Sequence, residues 1–403
     1  MFHIQENGDI RMLRLSQIAQ LLNGYAFKSK NYADNGIRVI RIANVQDGYI
    51  VDDAPCFYPI DTDEDIEKYS LFAGDLLISL TGNVGRVGIL PADMLPAALN
   101  QRVCCLRIDE TIVDRKYLFY FLRQHQFMRD CVKASKGVAQ LNLSTKWLAD
   151  YEIPTPKIEE QKRIVARIEE LFSELDNGVE TLQKTKQQLT VYRQAVYASV
   201  YGTDDLRPIT DFFDISGGLT KNSKRHELPI KMPYLRVANV YYNELDLSEI
   251  KYIGVTENEV ERTLLRNDDL LFVEGNGSKE QIGRVAIWDG RVENCLHQNH
   301  LIKGRPVSGM LPQYALYYLI SRYGRKQILD VASSTSGLYT LSTNKVRNLK
   351  IPYVDIEQQK TCIETIEARI SVCDSIEKTV DTALQQAEAM RQSILKQAFE
   401  GRL

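Results

Sequence analysis

The chain contains nearly the same ten residues twice, and this repetition limits what it can fold into more than any other feature. The segment IPTPKIEEQK begins at Ile153, and IPYVDIEQQK begins 198 residues later, at Ile351, in a chain of 403 residues. Flanking segments match as well: RVIRIANV (38–45) with PYLRVANV (233–240), and YRQAVYASVYG (192–202) with MRQSILKQAFEG (390–401). A period near 200 residues is far too long for a solenoid. It predicts two similar domains, each followed by the same kind of appendage.

The appendages have the pattern of long helices. After each motif, apolar residues return at the a and d positions of one heptad register. We expect two helices of about 44 residues, roughly 65 Å each at 1.5 Å per residue. Such a helix needs an apolar partner along its seam, and the obvious partner is the other helix. A long helix packed under its own domain is the alternative, and Gly178 is a point where the first helix can kink. The polar exceptions to the register are Gln161, Lys186 and Arg193 in the first copy and Gln359, Glu377 and Arg391 in the second.

The regions between the helices are typical of a mixed α/β fold. GDLLISL (74–80) and DLLFVEG (269–275) have the pattern of short buried strands, and GRVGIL and GRVAIW follow after glycine-bearing loops. Asp114–Ala134 and Leu311–Ala332 have helical spacing with aromatic faces. Each domain has about 150 residues, which is enough for its own core. The predicted segments are a first domain at 1–156, a long helix at 157–202, a second domain at 203–354 and a long helix at 355–403.

Composition predicts a cytosolic globular protein. Apolar residues make up 44% and charged residues 26% of the chain, which argues against wholesale disorder. No apolar run approaches the roughly 18 residues of a membrane span, and the N-terminus lacks the pattern of a signal peptide. The seven cysteines form no CxxC pair and suggest no disulfide framework. The net charge of -3 and the pI of about 6.1, taken alone, count against a nucleic-acid partner.

Signatures of catalysis are absent from the sequence. It has no P-loop, no HExxH, no GxSxG and no Asn-Pro-Pro-aromatic motif. His297 and His300, with Cys295 nearby, could suggest a metal, but the spacing is weak without a second pair of ligands. We interpret them as polar residues on a loop or strand end. The expectation is a binding protein with no catalytic residues and no metal site.

Positive charge is concentrated in two regions that are equivalent by the repeat. Seven Lys/Arg stand against one acid from Arg115 to Lys146, and six against one from Arg322 to Lys350. Each region ends in a polar loop that contains glycine, at 135–145 and 333–343, and the loops at 81–88 and 274–285 are similar. These residue types suit phosphate contact and base-edge hydrogen bonding, although a solvated basic helix face, or for Arg86 a structural salt bridge, is the alternative. The candidate DNA-contacting residues are Asn83, Arg86, Arg102, Lys133, Lys136, Gln140 and Asn142 in the first half, and Asn276, Ser278, Lys279, Arg284, Gln298, Arg325, Lys326, Thr335 and Tyr339 in the second.

Several of these segments together resemble a known family. The opening IPTPKIEEQKRIV, the helix end YRQAV, the terminal ILKQAFEGRL, the early LNGYAFKSKNY and GDLLIS with GNVGRVGIL are similar to the specificity subunit of type I restriction–modification enzymes. The resemblance spans the whole chain. It implies two target-recognition domains that each read one part of a split, asymmetric double-stranded DNA sequence. It also implies that the two long helices pack antiparallel as a coiled coil and set the separation between the half-sites.

The resemblance further implies partner subunits. Two modification subunits would carry S-adenosylmethionine and methylate adenine at N6, and restriction subunits would use ATP, with Mg, to move and cut DNA. This chain would hold no cofactor of its own. The second copy departs from the family pattern at Ile351–Cys362, which puts the docking of one modification subunit in doubt. The helix residues expected to dock these subunits are Gln161, Lys162, Arg193, Gln359, Lys360 and Arg391.

Two other functions remain open from the residues alone. One is a coiled-coil scaffold whose two domains bind proteins and not DNA. The other is a self-sufficient nuclease or methyltransferase, against which the lack of a nucleotide-binding glycine pattern argues.

Overall fold

A computed structural model describes residues 10–62, 65–137, 140–202, 204–335 and 337–403. The chain separates into two compact units. Unit one comprises the described residues of Met1–Leu182 together with Thr382–Leu403, and unit two comprises those of Gln183–Asp381. Both units mix helices and strands, as the repeat predicts.

Unit one is built on a four-stranded antiparallel sheet in the order β2-β9-β6-β7. A second sheet, β4-β3-β8-β5, contains one parallel pair, β3 with β8, and β1 pairs with β10. The strands are β1 (Arg11–Arg14), β2 (Ala19–Asn23), β3 (Ile37–Ile40), β4 (Phe57–Tyr58), β5 (Ser70–Leu71), β6 (Leu76–Ser79), β7 (Val87–Ile89), β8 (Ala97–Leu99), β9 (Val103–Ile108) and β10 (Glu152–Thr155), and the helices are α1 (Leu15–Ile18), α2 (Arg115–Leu122), α3 (His125–Ala134), α4 (Thr145–Ala149) and the first part of α5 (Ile158–Ser199).

Unit two repeats this plan. The sheet β12-β21-β17-β19 corresponds to β2-β9-β6-β7, and β13 pairs parallel with β20 as β3 does with β8. The strands are β11 (Leu206–Pro208), β12 (Phe213–Gly217), β13 (Ile230–Leu235), β14 (Val240–Tyr241), β15 (Glu244–Leu245), β16 (Lys251–Val255), β17 (Leu270–Val273), β18 (Gly275–Asn276), β19 (Val285–Ile287), β20 (Leu296–His297), β21 (Leu301–Pro306), β22 (Ser333–Thr335), β23 (Leu338–Thr340) and β24 (Lys350–Pro352), and the helices are α6 (Glu257–Thr263), α7 (Pro312–Ile320), α8 (Arg322–Val331), α9 (Thr343–Arg347) and the first part of α10 (Ile356–Phe399).

The strands expected from the apolar runs are confirmed. β6 and β17 are buried along their whole length, and β7 and β19 follow the glycine-bearing loops. Burial on both faces explains why each central strand is a continuous apolar run and not an alternating one.

The two aromatic helical regions differ from the prediction, because each is a pair of helices. Gln124 and Ser321 stand in extended conformation between the members of each pair. The hydroxyl of Ser321 accepts a hydrogen bond from the backbone N–H of Gly324 and so caps α8. Apolar spacing continues across both breaks, which is why periodicity alone predicts a single helix.

The long helices form as predicted, with 42 residues in α5 and 44 in α10. In unit two, Lys186 pairs with Asp381 at 2.8 Å and Arg193 with Asp374 at 2.6 Å. A step forward along α5 is matched by an equal step backward along α10, so the segments are antiparallel there. In unit one, Arg391 of α10 pairs with Asp176 of α5 in the same sense.

Aromatic residues attach these helices to the core of each unit. In unit one, Phe399 of α10 packs edge-on against Tyr117 and Phe121, at centroid distances of 5.1 and 5.2 Å. In unit two, Tyr201 follows the end of α5 and packs against Tyr314 at 5.1 Å. The repeated sequence at the helix ends therefore has the same role twice. No helix among the described residues is both long and apolar enough to cross a membrane.

Candidate nucleic-acid interface

In unit one, three segments meet at one end of the main sheet. The backbone N–H of Gly82 donates to Leu141 O and that of Leu143 donates to Leu80 O, both at 2.8 Å. The backbone N–H of Leu80 donates to Arg102 O at 2.9 Å. These bonds join segments 79–86, 100–102 and 136–143, without the undescribed residues 138 and 139, into what we call the first polar cluster.

The first polar cluster brings together most candidates of the first half. Lys136 and Asn142 exchange backbone hydrogen bonds of 3.0 and 2.9 Å, and the Thr81 hydroxyl donates to the Asn142 side chain at 3.1 Å. The side chains that project into solvent are Asn83, Arg102, Lys136, Gln140 and Asn142. Lys133 lies close by in sequence, exposed in the last turn of α3. Hydrogen bonds between the loop backbones hold these residues in place, so most of their side chains remain exposed to solvent.

Arg86 bonds neutral partners where the sequence left open a structural salt bridge, and its contact with DNA stays a prediction. Its Nη1 donates to the side-chain oxygen of Gln46 at 2.8 Å, and its backbone N–H donates to the Ser79 hydroxyl at 3.0 Å. The guanidinium is half-buried. A neutral partner leaves its positive charge uncompensated, so an anion remains a suitable additional partner.

Unit two joins the corresponding segments in the same way. The backbone N–H of Leu341 donates to Glu274 O at 2.7 Å, and that of Glu274 donates to His300 O at 2.9 Å. Asn276 of β18 pairs with Tyr339 of β23. These bonds define the second polar cluster, made of segments 274–284, 298–300 and the described residues of 333–341.

Several candidates of the second half lie in this cluster. Ser278 donates its hydroxyl to the Glu280 carboxylate at 2.7 Å, and Lys279 beside it is exposed. Gln298 is half-buried, in the segment that ends β20. Thr335 belongs to β22, whose hairpin with β23 adds a strand pair that unit one lacks among its described residues, and its side chain lies outside the described part. Lys326 is exposed on α8.

Two arginines expected to contact DNA are built into the fold. Arg284 is 7% exposed, donates to Val237 O at 3.2 Å and stacks over Tyr241. Arg325 donates to Ile282 O at 2.7 Å, and burial lowers its pKa from the usual value. Burial therefore leaves Arg284 little surface for the DNA contact that the sequence predicts, and Arg325 presents only part of its side chain. Sequence could not distinguish these roles, because an exposed arginine and a buried one have the same pattern in a single sequence.

The histidine pair does not converge on a common point. His297 is fully buried, its Nδ1 lies 2.9 Å from Leu301 O, and burial lowers its pKa to about 3. His300 is exposed, with its Nδ1 3.0 Å from the Glu274 carboxylate. In the described part of the chain, no group of three or more His, Cys, Asp or Glu residues is placed to hold a metal ion.

Two of the helix residues expected to dock subunits are internal. Gln161 and Gln359 have no exposed surface. The Gln161 side chain accepts from the backbone N–H of Asp114 at 2.7 Å and donates to Pro156 O at 2.8 Å. Gln359 accepts from the backbone N–H of Leu311 at 2.7 Å and donates to Val354 O at 2.9 Å. Each glutamine binds its helix to its own unit, so the expectation that these side chains face a partner is wrong.

The other four helix residues differ among themselves. Lys162 and Lys360 are exposed. Arg193 bonds Asp374 and Glu377 within unit two, and Arg391 pairs with Asp176 and lies over the Phe172 ring within unit one. The polar exceptions in the heptad pattern are thus mainly ion pairs between α5 and α10.

The sequence prediction missed a basic turn beside each cluster. The first basic turn (28–31) carries Lys28 and Lys30, and the second basic turn (221–227) carries Lys221 and Lys224. Their cores are the short helices Ser29–Asn31 and Ser223–Glu227. The runs KSK and KNSKR were the available signal, and their distance along the chain from the main basic regions concealed it.

Comparisons with known proteins agree with this architecture. The family model for the type I restriction modification DNA specificity domain matches residues 7–190 and again 205–386. The EcoKI specificity subunit of Escherichia coli K12 is 25% identical over 413 residues, which cover 96% of this chain and 88% of that protein. The EcoAI specificity subunit of Escherichia coli is 31% identical over 184 residues, covering 44% and 31%.

Solved structures show the same fold. A chain from a structure of complex assembly and conformational transition in a type I R-M system superposes with a TM-score of 0.71 at 18% identity, covering 98% of this chain and all of that one. The HsdS subunit from Thermoanaerobacter tengcongensis gives a TM-score of 0.54 at 17% identity, covering 98% and 97%. The expected fold class, two similar mixed α/β domains with two long helices, is confirmed.

Proposed function

Because this chain belongs to the family of type I restriction–modification DNA specificity proteins, we propose that each of its two globular regions reads one part of a split, asymmetric DNA sequence. DNA sequence recognition, and not catalysis, is the role of a specificity subunit. In this proposal, residues 1–156 and 203–354 are the recognition domains. The helical segments 157–202 and 355–403 set the separation of the half-sites.

One observation carries the proposal: the chain builds the same polar cluster twice. Both clusters stand at the same end of an equivalent sheet, and the same two backbone hydrogen bonds join their segments. The side chains within them differ, for example Arg102 where unit two has His300 and Asn142 where it has Thr340. A shared scaffold with different exposed groups is what reading two unlike half-sites requires.

Chemistry divides the proposed contacts into two kinds. Lysines at exposed positions, such as Lys136 and Lys279, suit phosphate oxygens, because ammonium is a flexible point charge. Amides such as Gln140 and Gln298 suit base edges, since a side-chain amide can bond adenine at N6 and N7 together. The remaining proposed contacts are Asn83, Arg86, Arg102, Lys133, Asn142, Asn276, Ser278, Lys326, Thr335 and Tyr339, with Arg325 through its exposed part only.

The long helices are the proposed docking surface for two modification subunits. Exposed apolar side chains favour this, because large apolar groups at a surface mark contact sites when they cluster. In unit two, Val191 and Tyr192 are 71% and 49% exposed on α5, and Val372 is 59% exposed on α10. Lys162 and Lys360 add exposed charge at the helix starts.

Family membership supports our proposal for the wider assembly. Modification subunits would bring S-adenosylmethionine, and restriction subunits would bring ATP and Mg, with the complex acting in the cytoplasm. The departure at Ile351–Cys362 does not disturb the helix. The Gln359 side chain accepts a hydrogen bond from the backbone N–H of Leu311, as Gln161 does from Asp114 in the first copy. A non-DNA scaffold has no observation in its favour.

An N6-methyladenine map of the host genome, with and without this gene, tests the proposal directly. We expect one bipartite motif to lose methylation when the gene is deleted and to regain it on complementation. If the motif persists without the gene, the proposal is wrong. If no motif is methylated in either strain, copurification with a methyltransferase subunit decides, and its failure would contradict the docking proposal.

A further inference from the structure

The second basic turn lies directly beside the second polar cluster. The backbone N–H of Leu219 donates to His297 O, and that of Asn299 donates to Leu219 O, both at 2.9 Å. Leu219, which stands two residues before Lys221, thereby forms a parallel β-bridge with Gln298. Unit one has the same arrangement, in which Tyr25 bonds Leu99 O at 2.8 Å and accepts from the backbone N–H of Gln101 at 3.0 Å. Each turn thus emerges from the same end of its unit as the polar cluster.

Buried charge holds the second basic turn rigid. Arg225 is 9% exposed, and its guanidinium donates to Thr220 O at 2.6 Å and to Gly254 O at 3.0 Å. It also binds the Glu259 carboxylate at 2.8 Å. The Nζ of Lys231 donates to the carbonyls of Arg225 and His226, at 3.1 and 2.8 Å. A glycine at 254 is required, because a Cβ there would overlap Arg225 O.

The first basic turn is held by other means. The Asn31 side chain donates to the Tyr58 hydroxyl at 3.0 Å. Phe27 packs edge-on against Tyr58 and Tyr25, at centroid distances of 4.9 and 5.1 Å. Aromatic packing in unit one and an ion pair in unit two therefore support the same element at the same place.

What the two turns share is exposed positive charge. Lys28 and Lys30 project from the first turn, and Lys221 and Lys224 from the second. Among the described residues, no ion pair joins Lys221 or Lys224 to an acid. Arg225 is neutralised by Glu259, so the charge that the turn presents is that of the lysines. Rigid backbone lowers the entropy lost on binding, which is the advantage of presenting lysines this way.

We infer that the two basic turns are phosphate-binding elements of the DNA interface, one in each unit. The inference rests on the proposed function and adds contacts that the main basic regions do not include. The turns would grip the duplex backbone beside each half-site and carry no sequence information themselves. The two turns are held by different contacts, an ion pair in unit two and aromatic packing in unit one. The recognition domains can therefore diverge in sequence and still bind phosphate at the same place.

The test measures DNA binding by the full chain as a function of salt. The variant Lys221→Gln/Lys224→Gln is titrated against a labelled 40-bp duplex of random sequence between about 50 and 200 mM salt. Each lost phosphate contact lowers the slope of log K against log salt by about 0.9, so two contacts lower it by about 1.8. The matched control is Lys184→Gln/Lys378→Gln, which removes two exposed lysines from α5 and α10 in the same unit.

The outcomes separate this inference from the proposed function. A lower slope for the turn variant, with the control at the wild-type slope, supports the inference. A wild-type slope in the turn variant, or an equal fall in both variants, overturns it and leaves the proposed function standing. Failure of the wild-type chain to bind any duplex contradicts the proposed function itself. Lys28→Gln/Lys30→Gln applies the same test to unit one.

Discussion

At the scale of single residues, exposure separates the groups that can contact DNA from those that hold the fold. Lys136 lies in the first polar cluster with an exposed side chain, and its backbone bonds to Asn142 do not depend on that side chain. Lys136→Ala should therefore weaken binding to all duplex sequences alike and lower the salt slope by about 0.9. Titration of the variant beside Lys378→Ala checks this. Unchanged binding and slope would remove Lys136 from the interface.

Gln161 belongs to the second kind of residue. Its replacement by alanine leaves the backbone N–H of Asp114 and the carbonyl of Pro156 buried without their partner. Unpaired buried groups cost about 1–3 kcal/mol each, so we expect a loss of about 3 kcal/mol in the free energy of unfolding. Chemical denaturation of Gln161→Ala beside Gln188→Ala, an exposed glutamine on the same helix, measures it. Equal stability of the two variants would show that the hydrogen bonds of the Gln161 side chain do not stabilise the fold.

Glu259 gives a prediction for pH. Hydrogen bonds from Arg225 and from the backbone N–H of Thr256 lower its pKa to about 2, from 4.5. A carboxylate with a lowered pKa stabilises the fold above its unfolded value and loses that contribution as the pH falls through the folded value. Wild type should exceed Glu259→Gln in stability above about pH 4.5, and the gap should close toward pH 2. Exposed Glu244→Gln serves as the control, and a gap that is constant with pH would rule the ion pair out as its cause.

The environments of single side chains were the least predictable feature of the sequence. Gln161 and Gln359 were visible as polar exceptions in an apolar register, but the backbone that each one bonds lies 47 or 48 residues away in the chain. Arg86 and Arg284 occupy the same place in the repeat, yet one is half-buried and the other buried against Val237. Such differences depend on tertiary packing, which a single sequence does not contain.

At the scale of elements, periodicity predicted most of what forms. α5 and α10 appear with nearly the predicted lengths, because their apolar register is long and strict. The paired helices α2–α3 and α7–α8 were predicted as single helices, because breaks of two residues and one residue leave the apolar periodicity intact. The polar clusters were predicted as separate loops, and only the sheet brings their segments together.

Gly178 is a glycine in the interior of the long helix α5. α5 is a continuous helix through this residue, and nothing lies within 4 Å of the position that a Cβ would take. Gly178→Ala should raise the free energy of unfolding by about 1 kcal/mol, since alanine is the better helix former. Gly254→Ala is the opposite control, because its Cβ would overlap Arg225 O. Denaturation of both variants measures the effect, and a loss of stability in Gly178→Ala would show that the glycine serves a bend.

At the scale of the whole molecule, net charge is a poor guide to partner. The chain has 50 basic and 53 acidic residues, yet each polar cluster presents exposed lysines, such as Lys136 in unit one and Lys279 in unit two. The sum hides this because the acids are spread elsewhere, for example along α5 and α10, where Asp374 and Asp381 pair with basic residues. Recognition of DNA needs a local positive surface, and an acidic total is compatible with it.

The repeat predicts that each unit controls one half of the target. Gln140 in the first polar cluster and Gln298 in the second carry the same amide, which suits adenine in the major groove. Gln140→Ala should relax the methylated motif at positions in one half only, and Gln298→Ala at positions in the other half only. Each lost bidentate contact is worth about 1–3 kcal/mol of discrimination, enough to change a methylation map visibly.

The two variants serve as controls for each other, because a general loss of stability or of DNA affinity would reduce methylation at every site without changing the motif. Mapping N6-methyladenine in strains that carry each variant makes the comparison. Relaxation of both halves by either variant would contradict independent reading. If neither variant alters the motif while methylation stays complete, these amides do not read bases. Discrimination must then come from the neighbouring Asn83 and Asn276 or from DNA shape, which the two polar clusters would sense through their phosphate contacts.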